Sequence, residues 1–216
     1  MNIATFVDHN NTTLTYLQEK DYPNAAVSSL SALTHLRASQ EVQLHDLQPQ
    51  RPPGAVDSSL DKCMLLYQDF DEDEAELSSS VVIYHQGILI PSTMVGDPRI
   101  TTPILIFNSA LAHHLSAEAS QGAASSPREL NKAKRLYELA YQSQTISENM
   151  MFRCAIFNNI AMIDLRLGNE EQSKQYLSLV MSVMMTFVEQ GFRVKLRCLQ
   201  GLWANVCSIS QTATAA

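Results

Sequence analysis

A tight break at Leu167-Gly168-Asn169 separates two amphipathic stretches, and it limits the possible folds more than any other feature of the chain. Before it, Phe152, Ile156, Ile160, Ile163 and Leu167 recur at helical spacing. After it, Ser173, Tyr176, Leu177, Val180 and Met184 do the same. Gly168 stands where a helix end calls for a left-handed residue, a conformation that glycine takes without a Cβ clash. Glu170 and Glu171 open the next helix at the positive end of its dipole. The stretch from Phe152 to Val188 therefore predicts a helix hairpin. One hairpin cannot bury its own apolar stripe, so such a chain has to stack several.

Further helices follow from the same periodicity. Phe6, Asn10, Leu14 and Leu17 share a face of a first helix, which breaks at Lys20-Asp21-Tyr22-Pro23. A second helix carries Ala26, Leu30, Leu33 and Leu36 on one side and fades before Pro49. Thr102-Pro103 predicts another start, cap then proline, with Ile104, Phe107, Leu111 and Leu115 behind it. After the Gly/Ala/Ser loop from Ser120 to Pro127, the residues Leu130, Ala133, Leu136, Tyr137, Ala140 and Tyr141 face inward. The central hairpin begins near Ser147, and a last helix, from about Phe192 to Ser208, carries Leu196, Leu199, Leu202, Trp203 and Val206.

Between Pro49 and about Pro103 the pattern changes. Pro52-Pro53-Gly54 predicts a loop, and Ser58-Ser59-Leu60-Asp61 a capping box opening a short helix. Asp69 to Glu76 holds six acids in eight residues. Val81 to Tyr84 and Ile88 to Ile90 are β-type runs around His85-Gln86-Gly87, read as a small hairpin or as two extended pieces. A lone hairpin is marginal in water, so it has to lean on the helices.

Composition fits a folded chain: 45% of residues are apolar, and no run approaches the ~18 apolar residues of a spanning helix. The start, MNIATFVDHNN, lacks a basic region followed by an apolar one and predicts no signal peptide. Cys63, Cys154, Cys198 and Cys207 form no CxxC pair and read as buried, reduced thiols in a cytoplasmic or nuclear protein. Net charge is −7; residues 1–103 hold 5 Lys+Arg and 14 Asp+Glu, against 10 and 8 in residues 104–216. That balance argues against nucleic acid as the main partner, since phosphate binding needs a basic face.

Three helix starts share a signature: His9-Asn10-Asn11-Thr12-Thr13, Phe107-Asn108-Ser109-Ala110-Leu111 and Phe157-Asn158-Asn159-Ile160-Ala161. Each precedes a break and a second helix with small residues at its crossing face, such as Ala25 and Ala26, Ala133 and Ala140, or Ser173. The pattern resembles the tetratricopeptide repeat (TPR), a pair of antiparallel helices of about 34 residues. Asn-Asn-Ile-Ala with Leu167-Gly168-Asn169 is most similar to the kinesin-light-chain type. The phrase FNSALAHHL, Phe107 to Leu115, resembles TPR-like proteins of microalgae. The first unit departs from the pattern, with Lys20 where the turn glycine belongs, and the second has a long internal loop.

The resemblance implies an all-α fold of antiparallel helix hairpins with a short β-containing insert and a C-terminal capping helix. Residues 1–48 would form the first pair and 49–101 the insert. Residues 102–216 would hold two further pairs and the cap. The first helices would line a concave groove. The implied function is that of an adaptor or scaffold binding a protein or peptide there. The alternative is a self-associating homodimer, formed through the last helix with Trp203 and Leu199.

The resemblance places Asn11, Asn108 and Asn159 at one repeat position, with Asn10 and Asn158 as weaker companions. There they would hydrogen-bond a ligand backbone, because an amide both donates and accepts. The same residues could instead pack neighbouring helices. The groove positions where a carboxylate clamp needs Lys or Arg are Val7, Asn10, Leu14, Ile104, Phe107, Leu111, Ala155, Asn158 and Met162, and none is basic. The occupant is then an extended or helical apolar segment, and the chain's own insert, residues 50–100, is a candidate that would close the groove. No catalytic set, metal centre, cofactor or membrane contact is predicted. Asp69 to Glu76 fails as a calcium loop, with Glu74 at the glycine position and Ser80 at the bidentate one. His113 and His114 point about 100° apart on a helix and cannot share one ion from one face. Met181, Met184 and Met185 read as core filler, and Arg193, Lys195 and Arg197 as exposed decoration.

Overall fold

Two turns of the same construction end helices in this chain. At Gly168, φ is +79°, the Gly168 N–H donates to Leu165 O at 3.1 Å, and Asn169 N–H donates to Asp164 O at 2.8 Å. At Lys20, φ is +60°, Lys20 N–H donates to Leu17 O at 3.2 Å, and Asp21 N–H to Tyr16 O at 2.8 Å. Both are paired closures in which the left-handed residue lets two amides reach back to orphan carbonyls. The first uses glycine; the second forces a lysine into the same conformation.

A computed structural model of the chain describes residues 4–44, 83–90, 97–120, 126–142, 149–189 and 202–207. The helices are α1 (Ala4–Gln18), α2 (Tyr22–Leu44), α3 (Pro98–Ala119), α4 (Ser126–Tyr141), α5 (Met150–Arg166) and α6 (Glu170–Glu189), followed by a helical stretch at 202–207. α1 packs on α2, α3 on α4 and α5 on α6, giving three hairpins in chain order. They are joined by α2 against α3 and by α4 against α5, with α1 also touching α3. No helix among the described residues is long and apolar enough to cross a membrane.

α3 is the centre. Asp97 caps it, its carboxylate accepting the Arg99 N–H, and Pro98 follows in the first turn. The expected start at Thr102-Pro103 is therefore too late: Asp97-Pro98 is the stronger cap-then-proline pair, and Pro103 lies inside the helix. Every residue from Pro103 to His114 is buried, including the polar Asn108, Ser109, His113 and His114, because α1, α2 and α4 all pack against α3. Phe107 anchors an aromatic cluster, with ring centroids 5.5 Å from Tyr137 and 5.2 Å from Phe152. A part-buried ion pair fastens α4 to α5: half-buried Lys134 Nζ donates to both oxygens of buried Asp164 at 2.7 and 2.8 Å, and Asn169 Nδ2 adds a bond at 3.2 Å. Removing Lys134 would leave a fully buried carboxylate short of donors, a change that costs on the order of 3 kcal/mol.

Several expectations need correction. The described part of the insert, 83–90, is one extended strap, not a hairpin, and the described residues contain no strand. Its backbone groups are met by side chains instead of a second strand, as set out below. Leu30 is 60% exposed, because α2 turns Ala25, Ser28, Ser29 and Ala32 inward and puts the close-packing small residues on its crossing face. Met184 is buried, but Met181 and Met185 are exposed, lying on the far side of α6. Cys154 is buried and Cys207 is exposed. The Pro-Pro-Gly loop, the capping box at Ser58, the acidic run, Val81, Val82, Cys63, Cys198, Leu199 and the basic residues at 193–197 lie outside the described residues.

The two turns make opposite predictions. Lys20→Gly should stabilise the fold by about 0.5–1 kcal/mol, since the left-handed penalty exceeds the added freedom of the unfolded chain. Gly168→Ala should cost about 1 kcal/mol by the same argument. Urea unfolding of both variants checks the pair.

Candidate functional site

Residues 83–90 lie extended across α1, α3 and α5, the first helices of the three hairpins. Asn108 on α3 holds Ile88 with two bonds: Ile88 N–H donates to Asn108 Oδ1 at 2.8 Å, and Asn108 Nδ2 donates to Ile88 O at 2.8 Å. Asn159 on α5 holds Tyr84 the same way, at 2.8 and 2.9 Å. Each amide takes the place of a neighbouring strand's peptide group, offering one acceptor and one donor side by side. The gripped residues are four apart, about 13 Å of extended chain.

Each grip is itself fixed. The second Asn108 proton goes to Asn10 Oδ1 at 2.8 Å, and Asn10 Nδ2 reaches Ile88 O at 3.3 Å. The second Asn159 proton goes to Tyr137 Oη at 3.0 Å, while Asn159 Oδ1 also accepts from Asn158 Nδ2 at 3.3 Å. Burial pushes the Tyr137 phenol well above its ordinary range, so it stays protonated. Asn10, Asn108, Asn158 and Asn159 are all at most 1% exposed. Inside such a site a paired amide is strong and an unpaired one is costly.

The five asparagines chosen from sequence thus divide. Asn108 and Asn159 face the strap, and Asn10 joins them. Asn11 does not: it is exposed, and what the structure shows there is its carbonyl accepting from Thr15 Oγ1 at 3.1 Å. The buried face of α1 runs through Phe6, Asn10, Thr13, Leu14 and Leu17, and the next position along a helix is turned by about 100° into solvent. Asn158 serves packing, its Oδ1 accepting from Asn205 Nδ2 at 2.7 Å and so tying down the stretch 202–207.

Sequence reasoning missed Tyr84 and Ile88 as the held residues, Gly87 as the point of close approach, and Tyr137 and Asn205 as supports. Gly87 is buried, and a Cβ on it would run into Leu14 Cδ2 and stand 3.2 Å from Leu17 Cδ1. Its φ is not left-handed, so the requirement is for space. The signal available was the glycine itself within a β-type run, a mark of close backbone approach. Ile88 and Ile90 are 1% and 2% exposed, and the Tyr84 ring meets Phe107 edge-on at 6.2 Å.

The histidines sit elsewhere. His113 Nδ1 lies 2.8 Å from Glu129 Oε2, yet its pKa is lowered, because burial and Lys132 outweigh that carboxylate. His114 is wholly buried, edge-on to Tyr137 at 6.1 Å, with neither ring nitrogen partnered. Burial lowers its pKa to about 3. Among the described residues no three His, Cys, Asp or Glu side chains converge on a metal position. A separate cleft of about 380 Å³ opens between α4, α5 and α6, lined by Tyr141, Arg153, Phe157 and Tyr176.

No family model, no curated protein and no solved structure matches the chain.

Asn108→Ala should destabilise the protein by about 2–4 kcal/mol, because it removes three bonds and strands the buried Ile88 N–H, leaving Ile88 O only the longer bond from Asn10. Asn11→Ala should change stability by less than about 0.5 kcal/mol. Hydrogen exchange at the Ile88 amide should speed up in the first variant and not in the second. A second expectation concerns pH. The unfolded chain protonates His114 near 6.5 while the folded chain does not, so stability falls as pH drops below 6.5, by about 2 kcal/mol at pH 5. His114→Phe should flatten that slope in unfolding measured across the range.

Proposed function

We propose that the chain is a TPR-like adaptor whose concave groove takes an extended peptide segment of a protein partner. One observation carries this reading: asparagines on α3 and α5 each grip one residue of an extended backbone by its N–H and C=O. Backbone gripping of this kind holds a chain whatever its side chains are, and the walls between the grips select the sequence. The three stacked hairpins, with their first helices all touching the strap region, support the repeat reading. The chain's own residues 83–90 are the resident occupant, so a partner has to displace them. A tethered occupant competes at an effective concentration in the millimolar range, which keeps the groove closed to weak ligands. The alternative of a homodimer has one observation in its favour, Trp203 at 46% exposed beside buried Leu202 and Val206.

The test compares two proteins of equal helicity by circular dichroism. In the first, residues 83–90 are replaced by a Gly/Ser octapeptide, which empties the groove. The second carries Asn108→Ala and Asn159→Ala in addition. Proteins captured from cell extract by the first and lost from the second place the function in the groove. Equal capture by both, or none by either, removes the reading.

A further inference from the structure

Resting on that reading, we infer that the groove selects extended partner segments of the form aromatic-x-x-Gly-aliphatic-x-aliphatic, of which Tyr84 to Ile90 is a built-in copy. The motif comes from what touches each residue of the strap. Tyr84 is held at its backbone by Asn159, and its ring lies against Phe107, at the edge of the cluster that Tyr137 and Phe152 complete. An aromatic ring fits that wall, since ring pairs prefer such edge contacts. His85 faces solvent and Gln86 is half-buried, so these two positions are read weakly. Gly87 then passes Leu14 and Leu17 at a distance that leaves no room for a Cβ. The strap cannot back away there, because the next residue is pinned at both backbone groups by Asn108. Leu14 and Leu17 meet that position with the tips of their side chains, and Leu14 is 3% exposed within the core. Ile88 and Ile90 are buried, with half-buried Leu89 between them, as alternation in an extended chain requires.

Selectivity in this groove is therefore expected to rest on the glycine together with the aliphatic and aromatic contacts. A methyl group at that position makes the tips of Leu14 and Leu17 shift, and loss of an aliphatic contact leaves a gap. The partner is a protein presenting this pattern in an extended stretch, and polar or charged residues at the two aliphatic positions are excluded by desolvation.

The experiment titrates a fluorescent synthetic peptide, IYHQGILI, into three full-length proteins and follows anisotropy. They are the natural chain, Gly87→Ala, and the chain with 83–90 replaced by Gly/Ser. Apparent affinity should rise in that order, as the internal competitor is weakened and then removed. The peptide with alanine for glycine, IYHQAILI, should bind the two altered chains at least about tenfold more weakly. Gly87→Ala leaves the other core contacts in place, so it serves as the receptor if the replaced chain fails to fold. Equal binding of both peptides overturns the motif while leaving the groove reading intact. No binding of either peptide to altered chains that remain helical overturns both. Pairing of Gly87→Ala chains in light scattering, reversed by added peptide, would assign the groove to a second copy of this chain and overturn a foreign partner.

Discussion

The fold depends on side-chain amides doing the work of a β-strand. An extended segment laid into a helical stack brings backbone N–H and C=O groups with no ladder to join, and burying them unpaired costs several kcal/mol. Asn108 and Asn159 remove that cost at Ile88 and Tyr84, at bond lengths of 2.8 to 2.9 Å. Once those groups are satisfied, Ile88 and Ile90 can enter the core, each contributing on the order of 2 kcal/mol by burial. The order of causes matters. The apolar side chains supply the drive, and the amides make it admissible by removing the penalty on the backbone that carries them.

That arrangement requires the amides to be immobile. Asparagine has rotamer freedom, and a loose amide would offer the wrong atom as often as the right one. Asn10 and Tyr137 prevent this by taking the remaining protons of Asn108 and Asn159. Asn158 adds its own proton to Asn159 and is in turn fixed by Asn205. The network therefore runs from α1 through the strap to the stretch 202–207. It uses uncharged groups throughout, and so avoids the larger desolvation cost that a part-buried ion pair such as Lys134 with Asp164 carries.

How much of this was legible in the sequence depends on the range of the interaction. The hairpins follow from local signals: periodic apolar residues, Gly168 at the turn, and asparagines that recur on the first helix of each pair, which the structure places mid-helix and not at the expected helix starts. Asn108 and Asn159, singled out because the phrase around them repeats, touch the strap. Asn11, matched to that phrase at α1, is exposed, and the periodicity of Phe6, Leu14 and Leu17 puts Asn10 on the inner face instead. Periodicity reports which side faces inward, and phrase matching does not, so the two disagree by one residue where a helix start has drifted. The strap, expected as a small hairpin or as two extended pieces, is one extended piece over 83–90. Its pairing partners lie 20 and 75 residues away and are side chains on helices, and strand propensity carries no information about what satisfies a backbone.

Leu30 and Gly87 show the same limit from opposite sides. An aliphatic residue at helical spacing looked like core, yet close approach between α2 and α3 favours Ser29 against Ser109, 3.2 Å apart, and leaves Leu30 outside. A glycine between two β-type runs marks the point where the strap runs tight against Leu14. In both, the missing volume of a side chain carries the information. Small residues at a crossing say how near two elements come, and that distance decides which large residues are left room. Gly87 is that point in the strap: the tips of Leu14 and Leu17 come closest to the backbone there, while Asn108 holds the next residue.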